Sequence, residues 1–192
     1  MDTKQLPPFL LVVDLEATCD RDRATISKYE METIEIGAVL VETATLSPVA
    51  ELGTFVRPIR HPKLTPFCTE LTTITQADVD DAPLFPEAIA KLRALIEGRA
   101  TLFCSWGDYD KNQLTQDARL HGIKLPFGDA HLNLKRRFSE VLGLPKKLGM
   151  GQALREVGLR LEGTHHRGID DARNIARLLP WIVGGATRPP QP

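Results

Sequence analysis

Apolar positions along the chain follow two periodicities, one of strands and one of helices. Phe9 to Val13 (FLLVV) is a short unbroken apolar run, rich in branched residues and preceded by Pro7 and Pro8, as in a strand covered on both faces. Thr33 to Glu42 (TIEIGAVLVE) and Gly53 to Val56 predict two more strands. Leu46-Ser47-Pro48 predicts a turn that lets these two pair as a hairpin. Thr101 to Trp106 (TLFCSW) predicts a fourth strand, and His131 to Leu134 a short fifth. Helical spacing begins at Phe85 to Ile96, where Ile89, Leu92 and Ile96 share a face and Pro86 suits the first turn. Asp110 to Leu120 predicts a polar helix with Leu114 and Ala118 inward, followed by helices over Leu134 to Leu142 and Gly151 to Val157. Gly168 to Ile182 sets Ile169, Ala172, Ile175, Ala176 and Leu179 on one face and closes at Gly184-Gly185. Pro58 to Pro66, with three prolines, reads as a loop. Strands come first and helices interleave later, which predicts an α/β fold with a mixed sheet covered on both faces.

Composition narrows the class. The 192 residues are 42% hydrophobic and 26% charged, enough to pack one domain and too apolar for wholesale disorder. No apolar run approaches the ~20 residues of a membrane helix, so no membrane partner is expected. The first residues lack the build of a signal peptide. Cys19, Cys68 and Cys104 are too few and too scattered for a disulfide framework, and a reducing, cytoplasmic setting is expected. Residues 1–7 are expected to be an extension, 8–183 one domain, and 184–192 a flexible C-terminal tail. The net charge of −1 speaks at face value against a nucleic-acid partner. It conceals a gradient: residues 1–134 carry 13 Lys+Arg against 20 Asp+Glu, and residues 135–192 carry 11 against 5. An acidic front and a basic back would suit a carboxylate metal site beside a phosphate-binding wall.

Three acidic groups could carry chemistry. Asp14 and Glu16 sit two apart at the end of the FLLVV strand, so their side chains share a face. Two buried carboxylates repel unless a cation sits between them. Asp108-Tyr109-Asp110 follows the TLFCSW strand at a helix start, and His165-His166-Arg167-Gly168-Ile169-Asp170-Asp171 opens the last helix. Each alone reads equally well as a helix cap or a solvated strand end. Together they gather acidic groups at two strand ends and one helix mouth. Oxygen ligands of this kind suit Mg²⁺ or Mn²⁺ and disfavour zinc. Two such ions stabilise the attacking and leaving oxygens of an in-line phosphoryl displacement, and a histidine is a suitable base for the attacking water.

These segments resemble a known family. Val13-Asp14-Leu15-Glu16-Ala17-Thr18-Cys19, Ser105-Trp106-Gly107-Asp108-Tyr109-Asp110 and His166-Arg167-Gly168-Ile169-Asp170-Asp171 are similar to the three motifs of the DEDDh superfamily of 3′–5′ exonucleases. DLEATC, FVRP, FCTELTTIT and HHRGIDDARNIA resemble more narrowly its Eri-type exoribonucleases, across residues 8–183. The resemblance implies a ribonuclease-H-like fold, a five-stranded mixed sheet with one antiparallel strand, flanked by helices. It implies two divalent ions, Mg²⁺ or Mn²⁺, held by Asp14, Glu16, Asp110 and Asp171, with His166 as general base. His166 and Asp171 are preferred over His165 and Asp170 because the family spacing is His-x4-Asp, which leaves Asp170 to cap the helix. Asp110 is preferred over Asp108 because the family ligand follows an aromatic residue, here Tyr109.

The resemblance further implies that Ala17 and Thr18 contact the terminal nucleotide, that Phe67 and Leu71 sandwich its base, and that Tyr109 packs beside the site. Without it, Phe67 and Leu71 would read as core. Glu35 either faces outward or holds a contact behind the site, and the outward placement is preferred. The implied substrate is a single-stranded 3′ end, RNA before DNA, shortened by hydrolysis to nucleoside 5′-monophosphates. A homodimer is the assembly that superfamily relatives suggest. Some of Lys135, Arg136, Arg137, Lys146, Lys147, Arg167 and Arg173 of the basic back could line the phosphate path. A non-catalytic binding module would show damaged ligand positions, and all five are present.

Overall fold

The computed structural model describes residues 5–187, so the expected extension over 1–7 and tail over 184–192 lie partly outside the described residues. Five strands form one sheet in the order β3-β2-β1-β4-β5. They are β1 (Phe9–Ala17), β2 (Thr33–Glu42), β3 (Ser47–Phe55), β4 (Thr101–Ser105) and β5 (His131–Asn133). β2 runs antiparallel to both β1 and β3, whereas β1, β4 and β5 are parallel. This is the expected mixed sheet with a single antiparallel strand. Eight helices among the described residues complete the chain: α1 (Pro66–Thr72), α2 (Gln76–Asp80), α3 (Phe85–Leu95), α4 (Tyr109–Leu120), α5 (Leu134–Val141), α6 (Met150–Glu156), α7 (Gly168–Ala176) and α8 (Leu179–Ile182). None is long and apolar enough to cross a membrane.

Alternation along β1 divides the core in two. Leu10 and Val12 pack with Ala172, Ile175 and Phe138 on the side of α5–α8. Leu11, Val13 and Leu15 pack with Ile89, Leu92 and Leu114 on the side of α3 and α4. Period-two geometry then turns Asp14 and Glu16, which follow Leu10 and Val12 in the same register, toward α7. β1 continues through them to Ala17, and its pairing with β2 slips between Glu16 and Ala17.

Several boundaries differ from the sequence pattern, each for a physical reason. β3 begins at Ser47, before the expected Gly53, because an edge strand needs no continuous apolar run and tolerates Pro48. The turn therefore precedes Ser47, with Leu46 in the left-handed region at φ 55°. Pro66, expected in a loop, opens α1, where the Thr65 hydroxyl accepts from Cys68 N at 3.0 Å. α2 is held by a capping box between Thr75 and Asp78. Pro180 divides the expected last helix into α7 and α8.

Two bare glycines let α7 rest directly on the sheet. A Cβ on Gly37 would lie 2.0 Å from the carbonyl of Gly168, and one on Gly168 would lie 3.0 Å from the Asp14 carbonyl oxygen. Gly37 pairs with Asp14 across β1 and β2. The close approach therefore brings the first turn of α7 onto the strand that carries the acidic pair. Gly37→Ala should cost about 3 kcal/mol of stability or more by overpacking this seam. Urea unfolding reads the cost, and a loss below about 1 kcal/mol would show that α7 can lift off the sheet freely.

Candidate active site

Asp14 and Glu16 from β1 meet Asp171 from the first turn of α7. One carboxylate oxygen from each lies within 4.8 Å of the others. Glu16 and Asp171 are buried and Asp14 is half-buried. Asp110, second residue of α4, is buried on the same side of the strand end, where its Oδ1 accepts from Leu15 N at 3.2 Å. It stays outside the three-carboxylate group but raises the pKa of Asp14 after burial itself. Burial, and then the charges of Asp171 and Glu35, push Glu16 up to about 8. Burial pushes Asp110 up to about 7, against the lowering effect of backbone N–H groups and the Ser105 hydroxyl.

Asp171 supplies the sharpest observation. Its Oδ2 accepts from His166 N at 3.0 Å and contacts His165 Nδ1 at 2.8 Å, whereas its buried Oδ1 has no hydrogen-bond partner. A buried, unpartnered carboxylate oxygen on a residue grouped with two other carboxylates is unfavourable alone and fits a hard divalent cation. The Asp14–Glu16–Asp171 donor set, oxygen throughout, agrees with that fit, while Asp171 also stands within reach of the His165 and His166 rings.

Both histidines reach Asp171, by different routes. His165 does so through its ring, and His166 through its backbone N–H. The rings stack at 4.0 Å with 14° between planes. His166 holds a left-handed backbone at φ 61°, which places its ring beside that of His165. Burial and the neighbouring His165 lower the His166 pKa, and Asp171 opposes them. The balance favours the neutral ring over the charged one.

Glu35 is not the outward charge expected. It is buried in β2, opposite Glu16, and accepts from Arg167 Nε at 3.0 Å, Arg167 Nη2 at 3.3 Å and Gly168 N at 3.0 Å. Arg167 also lies over the Phe55 ring, 5.2 Å from its centroid. This pair secures the backbone between His166 and α7. The signal in the sequence was register: Glu35 lies two residues before Gly37, on the face that α7 covers. Glu32, also missed, accepts the N–H groups of Ile59, Arg60 and His61 at 2.7–2.8 Å.

The neighbours of the favoured ligands point elsewhere. The Asp108 side chain, 66% exposed, accepts from Asn133 Nδ2 at 2.9 Å. Asp170 does not cap α7; it accepts from Thr164 N at 2.9 Å and pairs with Arg173. Ala17 and Thr18 are buried, and Thr18 exchanges two hydrogen bonds with Glu32 (Thr18 N to the carbonyl, 2.8 Å; Glu32 N to the hydroxyl, 2.9 Å). Phe67 and Leu71 lie one turn apart on α1 and outside every core cluster, Leu71 being 37% exposed. Core packing therefore does not account for them. Tyr109, 45% exposed, begins α4 beside Asp110. Two members of the expected phosphate wall are already engaged, Arg167 by Glu35 and Arg173 by Glu51 and Asp170.

A buried acidic cluster set between a central strand, an antiparallel neighbour and a helix mouth is the arrangement of ribonuclease-H-like nucleases. The sequence profile of the family described as Exonuclease matches residues 11–179, and the chain belongs to that family. It is 33% identical over 185 residues to ERI1 exoribonuclease 3 of Mus musculus, covering 91% of this chain and 53% of the relative. The chain thus spans about half the length of that relative. Similarity is 30% over 173 residues to the probable 3′-5′ exonuclease KapD of Bacillus subtilis (strain 168), covering 90% of this chain and 83% of KapD. Among solved structures, the nuclease domain of 3′hExo, a DEDDh family member bound to rAMP, superposes with a TM-score of 0.81 at 28% identity. It covers 93% of this chain and 92% of that one.

In the absence of divalent ions the cluster predicts an inverted acid response. Glu16 and Asp110 keep protons up to about pH 8 and 7 in the folded chain but release them near pH ~4 when unfolded. Between those limits the folded chain binds more protons, so stability rises as the pH falls from about 8 to about 5. Urea unfolding in EDTA reads this, and Mn²⁺ added near pH 8 should restore the stability. A steady loss of stability from pH 8 to 5 in EDTA would contradict it.

Proposed function

We propose that this chain is a divalent-metal-dependent 3′–5′ exonuclease that releases nucleoside 5′-monophosphates from single-stranded nucleic acid, with RNA preferred. The observation that carries this is the Asp14–Glu16–Asp171 group with a buried, unpartnered oxygen on Asp171, beside the His166 imidazole. The names of the relatives, an exoribonuclease and a DEDDh nuclease bound to rAMP, support RNA.

In this reading Asp14, Glu16 and Asp171 would hold one of two ions, Mg²⁺ or Mn²⁺, and Asp110 would serve the second together with Asp14. When bound, such ions lower the pKa of water and offset charge on the departing 3′ oxygen. The chain's own residues do the rest. His166 takes a proton from the attacking water at an imidazole nitrogen. Glu35 and Arg167 fix the backbone immediately after His166, which places the residue at the mouth of the acid cluster. Phe67 and Leu71 grip the terminal base from α1, and Tyr109 closes the site from α4. Apolar contact with a base is tolerant of its identity, as stepwise digestion requires. The backbone of Ala17 and Thr18, held by Glu32, positions the terminal sugar. The three cysteines are free thiols, in keeping with a reducing cytoplasmic setting.

The test is digestion of 3′-labelled single strands with Mg²⁺ or Mn²⁺, on matched RNA and DNA. RNA should be shortened faster, and EDTA should abolish release. Asp14→Asn and His166→Ala should each lower the rate by about 10²-fold or more. The rate should fall on acidification with a midpoint below the ~6.5 of a free imidazole, because burial and His165 favour the neutral His166 that accepts the proton. An unchanged rate in Asp14→Asn would refute the assignment.

A further inference from the structure

A surface cavity of about 550 Å³ opens beside α4, lined by Tyr29, Arg60, Asn112, Gln116 and Arg119 among others. Three segments build it, and hydrogen bonds lock them together. The segment from residue 19 to 31 is closed at its base by the two bonds between Thr18 and Glu32. Its last carbonyl, that of Met31, accepts from Nε2 of both Gln113 and Gln116 at 2.8 Å. The Glu32 carboxylate fixes the backbone of Arg60. The cavity wall is therefore tied to the same Thr18–Glu32 pair that borders the candidate active site.

α4 joins the two places. It begins at Tyr109 and Asp110, against Leu15 of β1, and passes beyond the strand end, where Asp117 Oδ2 accepts from Thr33 N at 3.0 Å. Tyr109, Asn112, Gln116 and Arg119 recur at spacings of three and four and so share one face. At a rise of ~1.5 Å per residue, Arg119 lies about 15 Å beyond Tyr109 along that face.

The chemistry of the cavity is specific. Tyr29 is 70% exposed, the most exposed large hydrophobic side chain among the described residues. Lys28 Nζ lies 4.8 Å from its ring centroid. Lys28, Arg60 and Arg119 form no salt bridge among the described residues. The acidic neighbour Glu30 takes the Ser27 hydroxyl at 2.5 Å. An exposed aromatic ring with cations that form no salt bridge among the described residues, and side-chain amides around it, has the features of a base-stacking platform with phosphate contacts.

We propose that this cavity is a second nucleotide subsite of the single strand whose 3′ end enters the active site. An upstream base stacks on Tyr29, and the adjoining phosphates meet Arg60 and Arg119. The assignment rests on the nuclease reading of the site but adds to it a path along α4. It makes grip on the strand depend on length: a strand long enough to reach Tyr29 binds more tightly than a mononucleotide.

Binding is measured on the full chain in Ca²⁺, a hard cation with the same ligand preference. Fluorescence anisotropy follows labelled single-stranded RNA and DNA ten-mers, and competition follows adenosine 5′-monophosphate. Tyr29→Ala should raise the Kd for both ten-mers about tenfold, Tyr29→Phe should bind as wild type, and affinity for the mononucleotide should hold. The Arg60→Ala/Arg119→Ala pair should reduce the slope of log K against log salt by about 1.4. Thermal melting of each variant confirms that it folds. Ten-mer Kd and salt slope unchanged in both variants, a loss confined to one sugar type, or equal losses for the mononucleotide would each overturn the subsite. A chain that binds through Tyr29 yet releases no nucleotide with Mg²⁺ or Mn²⁺ would instead overturn the exonuclease reading and leave the subsite standing.

Discussion

Carboxylate repulsion in a buried seam governs this molecule. Asp14, Glu16, Asp110 and Asp171 share a space closed by β1, β2, α4 and α7, and Glu35 adds a fifth acid behind them. Burial and mutual charge both disfavour the ionised state. The protein offsets part of this without a cation: Leu15 N serves Asp110, His166 N serves Asp171, and Arg167 neutralises Glu35. What is left over is the unpartnered Asp171 Oδ1 and two carboxyls with pKa values near 7 and 8. Those leftovers are what a divalent ion would relieve.

The scaffold is shaped to keep that seam closed. A central strand buried on both faces supplies two acids in the register of its apolar residues, so the pleat that builds the core also aims the acids. Gly37 and Gly168 remove the side chains that would hold α7 away, and Glu35 draws its first turn down through Gly168 N. The left-handed turn at His166 follows from this anchoring on both sides. Stability and chemistry are thus opposed at one place: the contacts that press α7 onto β1 also force the acids together.

Much of this was legible in the sequence. The apolar runs and helical spacings located all five strands and the longer helices, because burial writes itself into periodicity. The DLE, YD and HRGIDD segments placed the acids at strand ends and a helix mouth. Three things were hidden. α1 and α2 are only seven and five residues long, too short for a helical period to show, so their cues were the Thr65 and Thr75 positions that start them. The inward direction of Glu35 was written only in its register with Gly37, and the residue that makes burial tolerable, Arg167, lies 132 residues away in the chain. The charge gradient along the chain was only a partial guide: Arg167 and Arg173 of the basic back are paired with acids, Lys146 and Lys147 make no salt bridge among the described residues, and Lys28, Arg60 and Arg119 of the acidic front make none either.

The central claim is that the acid cluster is a divalent-ion site whose occupancy relieves the seam. Electron paramagnetic resonance titration of Mn²⁺ into the full chain tests it without reference to any substrate. The account predicts saturable binding by wild type, with two ions per chain, and loss of that binding in Asp14→Asn. Absence of binding by wild type, or equal binding by wild type and Asp14→Asn, would contradict it.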